Sequence, residues 1–165
     1  MSENVLAKLF EHNNWANQVI LKTSLELTDE ALDAEPATVT AGTIRSTLIH
    51  LVSAEYGYLR LLTLPLAERP ERIDVAFDDL ETCLQKSGEG LLALVQDPAR
   101  IPVSRLTTRD GHYVEPWVVL LQAINHATEH REQIKSMLTE LGVAVPEIDG
   151  WDYGLTVRAL VPIEK

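Results

Sequence analysis

Residues 116–141, PWVVLLQAINHATEHREQIKSMLTEL, form the longest uninterrupted pattern in the chain and decide its fold class. On a helical wheel centred on Ile124, the apolar arc takes in Trp117, Val119, Leu120, Leu121, Ala123, Ala127, Ile134 and Met137, whereas Asn125, Glu129, Glu132 and Gln133 form a polar side. Pro116 suits a first helical turn because it has no N–H to leave unbonded. Gly142 suits the stop because it adopts left-handed backbone angles without a Cβ clash. The spacing predicts one long amphipathic helix.

Within that helix His126 and His130 are separated by one turn; at about 100° per residue they project only about 40° apart, at the border of the apolar arc. Two neutral imidazoles placed in this way can share a divalent ion at about 2.0–2.1 Å, with bulk water kept at a distance. The HExxH pattern of zinc proteases is absent, because Ala127 stands where its glutamate would be. A third ligand must come from another segment, and His12, His50 and His112 are the candidates.

Three other stretches carry helical periodicity. Residues 3–27 repeat Leu6, Leu9, Phe10, Asn13, Ala16, Asn17, Ile20, Ser24 and Leu27 at spacings of three and four. Residues 43–64 follow a Thr/Gly-rich stretch able to supply a cap, and place Ile44, Leu48, Leu51, Val52, Tyr58, Leu59 and Leu62 on one arc before Pro65. Residues 74–97 open on an acidic cap candidate and repeat Phe77, Leu80, Leu84, Ser87, Leu91 and Leu94 before Pro98. Between 101 and 115, β-branched residues flank Arg109-Asp110-Gly111, which predicts two short strands joined by a tight turn with positive φ. The last segment, from Val143 on, mixes turn formers and aromatics without a period, and is expected to wrap over one end. The pattern defines an all-α fold, a four-helix bundle with a short β-hairpin inserted before the fourth helix. At 165 residues and 45% hydrophobic content, one domain spanning 1–165 is expected.

Composition narrows the function. With 25 acidic against 14 basic residues the net charge is −11, which repels nucleic acid and anionic membranes. No apolar run approaches membrane-spanning length, and the first residues, MSENVLAKLFEHNN, lack the basic and apolar blocks of a secretory signal, so a cytoplasmic location is expected. The single cysteine, Cys83, rules out an intrachain disulfide and a multi-cysteine metal cage. A metal would therefore rest on nitrogen and oxygen donors.

INHATEHREQI (124–134), TIRSTLIHLVSAE (43–55), HNNWAN (12–17) and DGWDYG (149–154) together resemble the DinB/YfiT family of four-helix-bundle metalloproteins, in order and over nearly the whole chain. The resemblance implies that His50, His126 and His130 are the metal ligands, that the ion is divalent, zinc or nickel, and that homodimers are frequent. On its own helix His50 lies roughly 100° or more from the middle of the apolar arc. Ser46, Thr47, Ser53, Ala54 and Gly57 surround it, small residues that admit a close helix or leave a ligand cavity. His12, next to Trp15, reads as a boundary residue, and His112 as a turn residue. Trp15 and Trp151 read as core or lid aromatics.

Glu55 and Arg131 fall within apolar arcs and so require buried partners, either each other or Asn13 and Asn17; alternatively one of them orients a histidine or binds a substrate carboxylate. Three protein nitrogens leave a coordination position open. That permits thiol-dependent transfer onto a small electrophilic molecule, which relatives using bacillithiol and mycothiol favour, or metal-assisted hydrolysis. The nearest carboxylate, Glu129, points toward the polar side, which weakens the hydrolytic reading. A non-catalytic metal-binding helical protein is the third possibility.

Overall fold

The computed structural model describes residues 4–37 and 42–163. Its helices are α1 (Val5–Leu25), α2 (Asp29–Leu32), α3 (Ile44–Thr63), α4 (Leu80–Gln96), α5 (Pro116–Glu140) and α6 (Gly150–Thr156), and strands β1 (Leu106–Thr107) and β2 (Tyr113–Val114) form the hairpin ahead of α5. Glu3, part of the Thr/Gly-rich stretch before Thr43 and the last two residues lie outside the described residues.

Helix ends follow from capping chemistry. Asn4 accepts from the Ala7 amide to start α1, and Thr43 and Ser46 form a reciprocal capping box at the start of α3. Pro116 opens α5. Gly142, at φ 67°, closes it, with Gly142 N donating to Thr139 O and Val143 N to Leu138 O, the paired bonds of a Schellman turn. The hairpin pairs Leu106 with Val114 and Thr107 with Tyr113. Gly111 has φ 88° and takes the left-handed position, while Asp110 does not. The connection is therefore a loop over residues 108–112 rather than a two-residue turn.

α1, α4, α3 and α5 pack in that cyclic order. One apolar cluster joins Ile20 and Leu21 of α1 to Leu48 of α3, Leu84 of α4 and Ile134 and Leu138 of α5. The other joins Phe10, Leu62, Leu91, Leu94, Leu120 and Ala123. Because the early residues of α3 and α4 share a cluster with the late residues of α1 and α5, α3 and α4 run opposite to the other two. The segment between α3 and α4 must then return along the length of the bundle.

The packing corrects some expectations and completes others. Residue 74 does not begin the third long helix: Asp74 pairs with Arg72 at 2.6 Å, and extended chain delivers the buried Val75 to the core before a 3₁₀ turn at Phe77–Asp79 leads into α4. Leu6, Leu9, Trp117 and Leu121 are exposed, because the apolar arcs of α1 and α5 are wider than the faces their neighbours cover. The tail begins on the apolar cluster at the end where α5 finishes, with Val143 and Val145 packed against it, and then turns onto the side of α1. It forms α6, capped reciprocally by Asp149 and Asp152, and Tyr153 packs against Trp15, ring centroids 5.4 Å apart, on the side of α1. Trp151 is exposed, which removes the core half of its core-or-lid reading.

Gly88 and Gly90, unfavourable in an isolated helix, mark close approaches. A Cβ on Gly88 would stand 2.8 Å from Asn14 Oδ1 and one on Gly90 2.6 Å from Leu59 Cδ2, so α4 sits tightly on α1 and α3.

Candidate metal centre

The order of packing sets α3 beside α5, and His50 sits at the edge of the α3 core face where the two helices meet. His50 Nε2 lies 3.1 Å from His126 Nε2, which lies 3.1 Å from His130 Nε2. The three donor atoms all fall within 4.8 Å of one another. Two nitrogens at about 2.0–2.1 Å from a common ion stand about 2.9–3.4 Å apart for bond angles between octahedral and tetrahedral values. The two separations that involve His126 fall in that window, and all three nitrogens lie close enough together to hold a divalent ion.

Electrostatics support the fit. Burial, followed by the neighbouring His130 and His50, lowers the His126 pKa to about 4. Burial and His130 also lower that of His50. An uncharged imidazole is the form a metal requires. Gln133 Oε1 accepts from His130 Nδ1 at 3.0 Å, which holds the ring and leaves Nε2 free to coordinate. The Tyr58 ring stands edge-on to His126 at 5.8 Å and limits its rotation.

These shifts predict a pH effect in the metal-free protein. The unfolded chain gains a proton on His126 near pH 6.5 while the folded chain resists until about pH 4, so stability falls as pH drops through that window. Urea midpoints measured between pH 7 and pH 4 should fall less steeply for His126→Gln than for the parent protein. Parallel slopes would contradict the burial of this imidazole.

His12 and His112 stand apart from the cluster. His12 Nε2 is 2.9 Å from Ile148 O and its ring packs against Trp15 and Tyr153. His112 lies on the hairpin loop, paired with Asp110 at 3.1 Å.

Glu55 and Arg131 are buried, and asparagines bridge them. Asn17 Nδ2 donates to Glu55 Oε2 at 2.7 Å and Asn13 Nδ2 at 3.3 Å, while Arg131 Nη1 donates to Asn13 Oδ1 at 2.8 Å and to Asn17 Oδ1 at 2.5 Å. Ser87 Oγ donates to Glu55 Oε1 at 2.6 Å, and Arg131 Nη2 to Thr128 Oγ1 at 2.9 Å. This polar layer lies between the two apolar clusters and ties α1, α3, α4 and α5 together. Burial raises the Glu55 pKa against the opposing pull of Ser87, Arg131 and the two asparagines. Arg131, lowered to about 10 chiefly by burial, remains a cation at neutral pH. Of the two readings weighed for this pair, the hydrogen-bonded structural one accounts for every contact it makes.

Beside His50, an open cavity of about 370 Å³ is lined by His50, Ser53, Ala54, Gly57 and Arg60 of α3 and by the returning segment from Arg69 to Ile73. The small residues around His50 thus leave a cavity. Sequence reasoning missed the arginines on its wall, because they belong to a non-periodic crossover and to the outer side of α3. It also placed Ser87 in an apolar stripe and Gln133 on a polar face, where only the three-residue spacing from His130 hinted at its role.

Fold and site define a helical-bundle protein with three histidines positioned to bind a metal ion. The model of the DinB family matches residues 1–157, and the chain belongs to that family. It is 28% identical over 160 residues to protein DinB of Bacillus subtilis strain 168, covering 90% of this chain and 91% of the relative. Two solved structures share the fold. A protein assigned to the DinB family from Exiguobacterium sibiricum 255-15 superposes with a TM-score of 0.64 at 19% identity, covering 89% of this chain and 97% of the other. A DinB-like protein from Bacillus cereus ATCC 10987 gives 0.62 at 17% identity, covering 87% and 95%.

Proposed function

We propose that His50, His126 and His130 hold one divalent ion, zinc or nickel, and that the protein uses it to bind a low-molecular-weight thiol for transfer of its sulfur onto a small electrophilic molecule. The observation that carries this reading is the convergence of three imidazole nitrogens, one of them on the His50 that lines an open cavity, with no carboxylate oxygen among the described residues joining them. When bound, the ion supplies Lewis acidity that keeps a thiol ionised near neutral pH. The chain's own contribution is positional. Gln133 fixes the His130 ring, His126 is kept uncharged by its surroundings, and Ser53, Ala54 and Gly57 leave room for the reactants. In the transfer a sulfur–carbon bond forms, the leaving group departs with its bonding electrons, and the thiol proton passes to solvent. No cysteine of this chain takes part.

Cobalt substitution provides the test. Titrating the cobalt-loaded protein with a panel of low-molecular-weight thiols should produce a sulfur-to-cobalt charge-transfer band in the near ultraviolet. A spectrum indifferent to every thiol but responsive to pH would replace this reading with metal-assisted hydrolysis. Failure to take up cobalt, zinc or nickel would remove both and leave a helical protein without a working centre.

A further inference from the structure

We infer that the cavity beside His50 binds the carboxylate end of a small organic acid, held by Arg60, while the other end of the same molecule reaches the three histidines. The inference rests on the metal-thiol reading only for what occupies the histidine end.

Four observations carry it. First, the cavity runs along one face of α3, from His50 past the small side chains of Ser53, Ala54 and Gly57 to Arg60. The side chains that line it between His50 and Arg60 are small. Second, Arg60 is held in place. Its Nη2 donates to Tyr56 Oη at 2.9 Å and its guanidinium lies over the Tyr56 ring at 4.5 Å, which folds the side chain one turn back toward His50. Third, Arg60 Nε is buried and has no hydrogen-bond partner among the described residues. An unmet donor on a cation is costly and calls for an acceptor.

The fourth observation is the local charge. Arg69 lines the same cavity, with Nε donating to Leu64 O at 2.8 Å and Nη1 to Thr107 O at 2.5 Å. Arg109 donates in turn to the Arg69 carbonyl. Both guanidinium groups are therefore spent on neutral carbonyls. None of Arg60, Arg69 and Arg109 forms a carboxylate pair among the described residues, whereas Arg45, Arg72 and Arg105 do. Glu71 is the acidic residue on the wall. In a chain of net charge −11, this leaves a cationic pocket beside the candidate centre.

Length selects the ligand. From His50 to Tyr56, the level at which the Arg60 guanidinium lies, the helix rises about 9 Å. A sulfur and a carboxylate separated by a chain of five or so methylene groups match that axial rise. The ligand class is thus a thiol that bears a carboxylate at a distance.

The experiment compares 6-mercaptohexanoate with 6-mercaptohexan-1-ol, alike in length and differing in charge. In cobalt-loaded protein, the acid should bind at least about tenfold more tightly than the alcohol. Arg60→Met should erase that preference while leaving the alcohol's affinity unchanged, and Arg60→Lys should restore part of it. Equal affinities in the parent protein, or a preference that survives Arg60→Met, would overturn the inference. If neither thiol alters the cobalt spectrum, the thiol reading fails, and a second arm decides the carboxylate subsite alone. Hexanoate titrated into metal-free protein should shift the Arg60 Nε–H resonance in a nitrogen-15 spectrum, identified by its loss in Arg60→Met. No shift at tens of millimolar hexanoate would refute the subsite.

Discussion

His126→Ala is expected to abolish tight metal binding while leaving the protein helical. Structural zinc sites with four ligands bind with about 10–16 kcal/mol, or about 2.5–4 kcal/mol per ligand, so loss of one imidazole should weaken affinity by on the order of 10² to 10³-fold. His126 lies 3.1 Å from both of the others, so its removal takes away both of these close contacts. The fold should survive because His126 lies outside the apolar clusters that join the helices. Competition titrations with a chromophoric chelator measure the affinity, and far-ultraviolet circular dichroism the helix content. His130→Ala should behave alike. Parent-like affinity in either variant would mean that the ion, if any, sits elsewhere.

Arg131→Met should produce the largest loss of stability, about 3–5 kcal/mol, because it removes the cation from a buried charge network and leaves Glu55 behind. Asn13 and Asn17 would lose the donor to their amide oxygens, at 2.8 and 2.5 Å, while still donating to Glu55. The direction with pH follows from the carboxyl group. Its folded pKa is already raised by burial and would rise further without Arg131. A raised folded pKa confers stability at low pH that is lost as pH climbs from the unfolded value through the folded one. The deficit of Arg131→Met should therefore be greatest at neutral pH and shrink toward pH 5. Adding Glu55→Gln should recover part of it at pH 7, since the orphaned charge is gone. Urea denaturation of the single and double variants at both pH values measures this, and a loss below about 1 kcal/mol would place the network outside the folding core.

The same two sets of residues show how far the sequence reads on its own. His126 and His130 are adjacent because helical geometry requires it; four residues on a helix is a local distance. Glu55 and Arg131 stand out because a charge inside an apolar arc must find a partner, and Asn13 and Asn17 lie on the only other periodic stripe that carries amides. Local chemistry also sets most helix ends, with Thr43, Pro116 and Gly142 acting through hydrogen bonds to their own neighbours. Where the reading failed, the missing information was long-range. Leu6, Leu9, Trp117 and Leu121 belong to apolar arcs that no neighbouring helix fully covers. α6 is too short to show a period and exists because Asp149 caps it and Tyr153 packs on Trp15.

The four long helices, the hairpin, the pair of histidines on α5 and the buried charges were determined by the sequence, since each depends on contacts within a few residues or on the cost of burying a charge. The choice of His50 could not be made from its own helix, where it lies off the apolar arc and exposed. Tertiary structure brought His50 to the pair by setting α3 against α5 with its edge toward His126. The crossover from α3 to α4 likewise had to run back along the bundle before Arg69 could face Arg60 across a cavity. Those positions follow from how four helices share their faces, a property of the packed assembly rather than of any one helix.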